Sequence, residues 1–139
     1  MVPESRILRC NSGTVSRHGR YVLYWMIAQR RLGYNFALQR AAELARELNK
    51  PLLVLEALRC GYPWACDRIH RFIIDGMAER EGTPGYWPYI EPVPDAGKGL
   101  LVALSKSACA VVTDAYPCFF LPHMVRTAGQ KLEVILEAV

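Results

Sequence analysis

The chain of 139 residues carries 17 basic and 13 acidic side chains, a net charge of +4, and 52% hydrophobic residues. That length supports one domain with a core of its own and excludes two substantial ones. No segment reaches the roughly 20 consecutive apolar residues of a membrane helix, and so mild a positive balance permits contact with phosphate without demanding it.

Residues 1–20 are polar and studded with Arg6, Arg9, Arg17 and Arg20, without the apolar stretch of a signal peptide. They read as an arm or poorly ordered lead-in, and the chain reads as cytoplasmic. The domain proper, residues 21–139, opens at Tyr21-Val22-Leu23-Tyr24-Trp25-Met26, a run of β-formers that stops at Gln29-Arg30-Arg31. A continuous apolar run that leads into an amphipathic helix marks a buried parallel strand opening a βαβ unit. The helix follows, with Leu38, Ala41 or Ala42, Ala45 and Leu48 recurring at three- and four-residue spacing. Asn35 suits its cap, and Asn49-Lys50-Pro51 its end. Leu52-Leu53-Val54-Leu55 then predicts a second interior strand.

Residues 67–81 predict a second helix with Ile69, Phe72, Ile73, Gly76 and Met77 on one face and Gly82 as its stop. Gly76 in its interior predicts a close approach to the sheet, since glycine costs about 1 kcal/mol in a helix unless packing compensates. Tyr86-Trp87-Pro88-Tyr89-Ile90 predicts an edge strand, because Pro88 has no N–H to give to a ladder. A third helix over 100–107, a fourth strand over 109–113 and a last helix over 121–130 with Pro122 in its first turn complete the alternation. Leu132, Val134 and Leu136 alternate with Glu133, Ile135 and Glu137, which predicts a half-covered edge strand.

Five strands alternating with four helices predict an α/β fold: a Rossmann-like open parallel sheet of order 3-2-1-4-5 with helices on both faces. Ligands of such sheets bind beyond the carboxyl ends of the strands where the order reverses, here between the first and fourth strands. Trp25, Met26 and the loop bearing Arg31 line one side of that expected crevice, and Asp114 and Tyr116 the other. Asp114 reads equally as a functional carboxylate or as a cap before Tyr116-Pro117, and Trp25 as a stacking surface or as core. No glycine-rich phosphate loop follows the first strand, Gly33 standing alone, and no nucleophile elbow is present. Cys60 and Cys66 lack a zinc-ligand spacing, so the five cysteines read as small buried hydrophobes.

Four stretches, in this order and spacing, resemble the amino-terminal α/β domain of DNA photolyases, in particular the class II-like cyclobutane pyrimidine dimer branch of the photolyase and cryptochrome family. They are Tyr24-Trp25-Met26 with Arg31; Asn35-Phe36-Ala37-Leu38; Arg68-Ile69-His70-Arg71-Phe72-Ile73-Ile74-Asp75-Gly76-Met77; and Val111-Val112-Thr113-Asp114-Ala115-Tyr116-Pro117. In that family the domain precedes a helical domain that holds FAD, grips DNA and repairs pyrimidine dimers by light-driven electron transfer. The resemblance implies an antenna chromophore in the crevice of Trp25, Met26, Arg31, Asp114 and Tyr116, and no FAD pocket within these 139 residues. It implies as partners a helical FAD-binding domain, in cis or in trans, and DNA through the complete protein; the chain alone is expected to be inactive. Two further readings stand beside it: a stand-alone nucleotide or small-cofactor binding module, and a non-catalytic interaction domain that dimerises through an exposed edge at Tyr86–Tyr89 or the last strand.

Overall fold

In the computed structural model, which describes residues 1–139, the apolar run at Tyr21–Met26 is the strand β2. Its even-numbered side chains face one helical layer and its odd-numbered ones the other. Around it lie β1 (Leu8–Arg9), β3 (Leu52–Leu58), β4 (Tyr86–Ile90), β5 (Ala108–Thr113) and β6 (Leu136–Ala138), with helices α1 (Phe36–Leu48), α2 (Asp67–Glu79), α3 (Leu100–Ser105) and α4 (Leu121–Gly129) between them. The sheet order is β1-β6-β5-β2-β3-β4. All pairings are parallel except β1 with β6. Without β1, this is the predicted order 3-2-1-4-5.

Val22, Tyr24, Met26, Val54 and Val112 pack beneath α1, which buries Ala37, Ala41, Leu44 and Ala45. Small residues on the helix let it lie close to the strands. Asn35 caps α1 as expected, its Oδ1 accepting the Leu38 N–H at 2.9 Å, and Asn49 ends it in the left-handed region at φ 51°. On the opposite side Leu23, Trp25, Leu55, Val111 and Leu136 pack against α3 and α4. Each such fully buried side chain stabilises by roughly 1.5–3 kcal/mol relative to exposure.

Three expectations are corrected. Residues 1–20 are not a loose lead-in: β1 adds an antiparallel strand beside β6, and Asn11 clamps the backbone ahead of it. The last strand is neither at residues 132–136 nor half covered. It is Leu136–Ala138, flanked by β5 and β1, and Glu137, expected to face water, is buried against Arg40 of α1 at 2.7 and 3.0 Å. An acid neutralised by a guanidinium can face a core, which alternation of polar and apolar residues does not reveal. Gly76 does not meet the sheet either; a Cβ there would find only the Arg80 guanidinium at 3.4 Å. The helix that bears it buries Met77 alone and leaves Phe72 81% exposed. The proline reading holds: β4 is an edge strand paired only with β3.

Candidate functional site: an apolar cavity under an aromatic rim

The point where strand order reverses is filled by the protein itself. Asp114, at the end of β5, has no solvent exposure. One carboxylate oxygen accepts the backbone N–H groups of Ile27, Ala28 and Gln29 at 2.9, 2.7 and 3.0 Å; the other accepts the Tyr24 hydroxyl at 2.6 Å. Burial first, and then the neighbouring Asp114 charge, push the Tyr24 hydroxyl far above its ordinary value, so it remains a donor. Asn35 extends the network, donating to the Tyr24 hydroxyl at 2.9 Å and to the carbonyls of Gln29 and Arg31 at 3.0 Å. In dinucleotide-binding sheets, the N–H groups after the first strand of the unit hold a pyrophosphate. Here a carboxylate of the same chain occupies them.

The open space lies beside this lock, on the α3 and α4 side of the sheet. A cavity of about 630 Å³ is bounded by Trp25, Leu55 and Tyr89 from the strands, Leu101 from α3, and Leu121 and Met124 from α4. The loop over residues 59–64 and Ile69 and Ile73 of α2 close one flank. Two buried carboxylates fix these walls. Glu91 accepts the N–H groups of Cys60 and Gly97 at 3.0 and 3.1 Å, tying together two loops that border the cavity. Glu56, fully buried on β3, pairs with Arg30 at 2.9 Å and Arg80 at 2.8 Å and accepts the Tyr86 hydroxyl at 2.6 Å. Burial and that bond to Glu56 leave the Tyr86 hydroxyl pushed up to about 12. A second depression, of about 560 Å³ at the end of α1, is an open surface groove lined by Ala42, Arg46 and Lys50.

Around the cavity mouth stand exposed aromatic rings. Trp64 is 71% exposed and Phe119 70%, their rings 5.8 Å apart and edge to face, and Phe119 stacks on Tyr116 at 6.5 Å. Trp64 and Phe119 both adopt positive φ, at 68° and 59°. For bulky residues that conformation is costly.

Of the five residues read from the sequence, Trp25 lines the cavity. Met26 points the other way, into the core beneath α1. Asp114 is spent on the backbone donors of residues 27–29, far away in the chain, rather than on a cap before Tyr116-Pro117. Arg31 is exposed and bonds the Tyr34 carbonyl, while its neighbour Arg30 faces the cavity. Tyr116 joins the rim through Phe119. Glu56 and Glu91 escaped the sequence reading, although each is an acid inside or just after an apolar strand, a pattern that signals a paired buried charge. No three histidine, cysteine, aspartate or glutamate side chains gather as metal ligands, and all five cysteines are free thiols.

No protein-family model matches the chain. Over 115 residues it is 34% identical to the deoxyribodipyrimidine photo-lyase of Methanothermobacter thermautotrophicus (strain Delta H), a match that covers 82% of this chain and 26% of that protein. The chain is thus related in sequence to a photolyase. It spans about a quarter of that relative's length. In structure it resembles a protein from Pseudomonas aeruginosa UCBPP-PA14 assigned as a universal stress protein, with a TM-score of 0.62 and 13% identity over 96% of this chain and 51% of that one. At so low an identity the likeness concerns the α/β fold alone. No helix is long and apolar enough to cross a membrane.

Proposed function

We propose that this chain is the α/β domain of a photolyase-like protein, and that its own part is to hold a flat, largely apolar cofactor of the antenna type between α3 and α4. The observation that carries the reading is the cavity of about 630 Å³ walled by aromatic and aliphatic side chains at the carboxyl ends of β2, β3 and β4. Its size falls in the range of small-molecule sites, roughly 300–1,000 Å³, which combine an apolar slot with a few polar fixings. The relation to a photolyase supports the same reading. Trp25 is the wall residue, Arg30 rather than Arg31 the nearby cation, and Tyr116 part of the rim. Met26 and Asp114 act from behind, by holding the loop that begins at Ile27.

In this reading the photochemistry belongs to cofactors, and the protein binds and orients them. FAD, DNA and the repair of pyrimidine dimers belong to the complete protein, through a helical flavin domain joined to this chain or supplied separately. The exposed rim of Trp64, Tyr116 and Phe119 is the surface we assign to that partner. The edges expected to dimerise suit the role less well, since β1 closes one and Pro88 interrupts the other. We take the protein as cytoplasmic, a setting that suits five unpaired thiols.

The second reading, a stand-alone small-cofactor module, rests on the same cavity of about 630 Å³. A phosphate of such a ligand would have to sit elsewhere than on the N–H groups after β2, which Asp114 already uses. One experiment addresses both. The purified protein is scanned for absorption beyond that of its own aromatic residues, then titrated with riboflavin, FMN and adenine nucleotides while unfolding is followed. A ligand at 100 times its Kd should stabilise the fold by about 2.7 kcal/mol. No bound pigment and no stabilisation by any ligand would overturn the cavity reading.

A further inference from the structure

Trp25 sits at the floor of the cavity with 8% of its surface exposed. Its place is rigid: β2 is paired on both sides, with Leu55 opposite Trp25 on β3 and Thr113 on β5, and the Thr113 hydroxyl donates to the Trp25 carbonyl at 2.8 Å. The indole N–H makes no hydrogen bond, yet the one fully enclosed side-chain nitrogen or oxygen without a partner is His70 Nε2. The indole nitrogen therefore keeps access to open space, and the space beside this ring is the cavity. A buried tryptophan N–H ordinarily finds a partner. Of the charged groups of the wall, Glu91 is engaged by Cys60 and Gly97, Arg30 by Glu56, and Arg59 by Asp95, while the ammonium groups of Lys98 and Lys131 make no ion pair.

We infer that Trp25 is a specificity-determining residue of this cavity, and that it selects flat ring ligands carrying a hydrogen-bond acceptor, a ring carbonyl or ring nitrogen, on the edge that meets its indole N–H. The inference rests on the cavity reading above and adds to it the chemistry of the recognised edge. Trp25 then acts through its edge rather than through its face, in contrast to the stacking role that its sequence position suggests.

The test uses 9-fluorenone and fluorene, flat tricyclic probes of nearly equal size of which only the first carries a carbonyl. Binding to the full chain is measured by equilibrium dialysis, and the indole N–H resonances are followed by NMR. The native protein binds fluorenone more tightly than fluorene, and fluorenone alone moves the Trp25 N–H resonance downfield. Trp25→Phe, which keeps a ring and removes the donor, weakens fluorenone about tenfold more than it weakens fluorene, the scale of one lost hydrogen bond in a closed site. Equal binding of the two probes to the native protein, with the Trp25 resonance unmoved, would overturn the inference and leave the cavity reading standing. Failure of both probes to bind the folded native protein would overturn the cavity reading as well. The resonance is read on the native chain, so the test survives a variant that fails to fold.

Discussion

The carboxylate of Glu91 holds two loops at once, through the N–H groups of Cys60 and Gly97. Burial alone would raise its pKa, but the hydrogen bonds from those backbone groups outweigh burial and keep it below its ordinary 4.5. A lowered carboxyl contributes stability above the unfolded value and loses it as pH falls through the folded one. Glu91→Gln should therefore lower unfolding stability at pH 7 by about 1–3 kcal/mol. The gap between native and variant should close as the pH is taken below 4.5, as read from urea unfolding at a series of pH values. A gap that stays constant into acid would mean that the charge of Glu91 is not what binds the loops. Residue roles of this kind were legible only where they are local. Asn35 could be recognised because a cap bonds three residues ahead, to Leu38. Asp114 could not be assigned, because the donors it meets lie 85 to 87 residues earlier in the chain.

Elements that announce themselves by burial were readable, and those made by pairing were not. β2, the Leu52–Leu55 stretch of β3, and β5 up to Val112 are continuous apolar runs because both of their faces are covered, and this pattern finds them. β1 has two residues, Leu8 and Arg9, both exposed, and exists because β6 offers it an edge. Asn11 makes that union specific: its Nδ2 donates to the carbonyls of Leu132 and Val134 at 3.2 and 2.9 Å, and its Oδ1 accepts the Leu136 N–H at 2.9 Å. Gly13 and Gly129 permit it, since a Cβ on either would come 2.5 Å from the backbone of Val134 or Cys10. Replacing Asn11 by Ala should cost about 1–3 kcal/mol. The amides of β6 should then exchange with solvent faster while those of β2 keep their protection, because the arm is held by few contacts and can open by itself. Equal acceleration in β2 would make the arm part of the global folding unit.

At the scale of the molecule, covered and uncovered apolar surface are distributed unequally. The sheet interior is sealed, whereas Trp64, Phe72 and Phe119 are left 70–81% exposed, clustered about α2 and the loops at the carboxyl ends of the strands. Two of these rings also hold positive φ, a conformation that costs a non-glycine residue about 1–2 kcal/mol. Neither the exposure nor the strain repays the isolated domain. Both make sense if the rings fill pockets on another surface, where aromatic anchors dominate binding. The helical flavin domain proposed as partner is the surface to offer them. Changing Trp64 and Phe119 together to Ser should move the stability of the isolated domain by no more than about 0.5 kcal/mol, as expected for exposed positions. Their association with that domain, added as a separate polypeptide and followed by calorimetry, should weaken at least tenfold, in line with the loss of about 2 kcal/mol or more at a central anchor. Loss of several kcal/mol from the domain alone would show instead that the rings roof its cavity, and unchanged association would move the docking surface elsewhere.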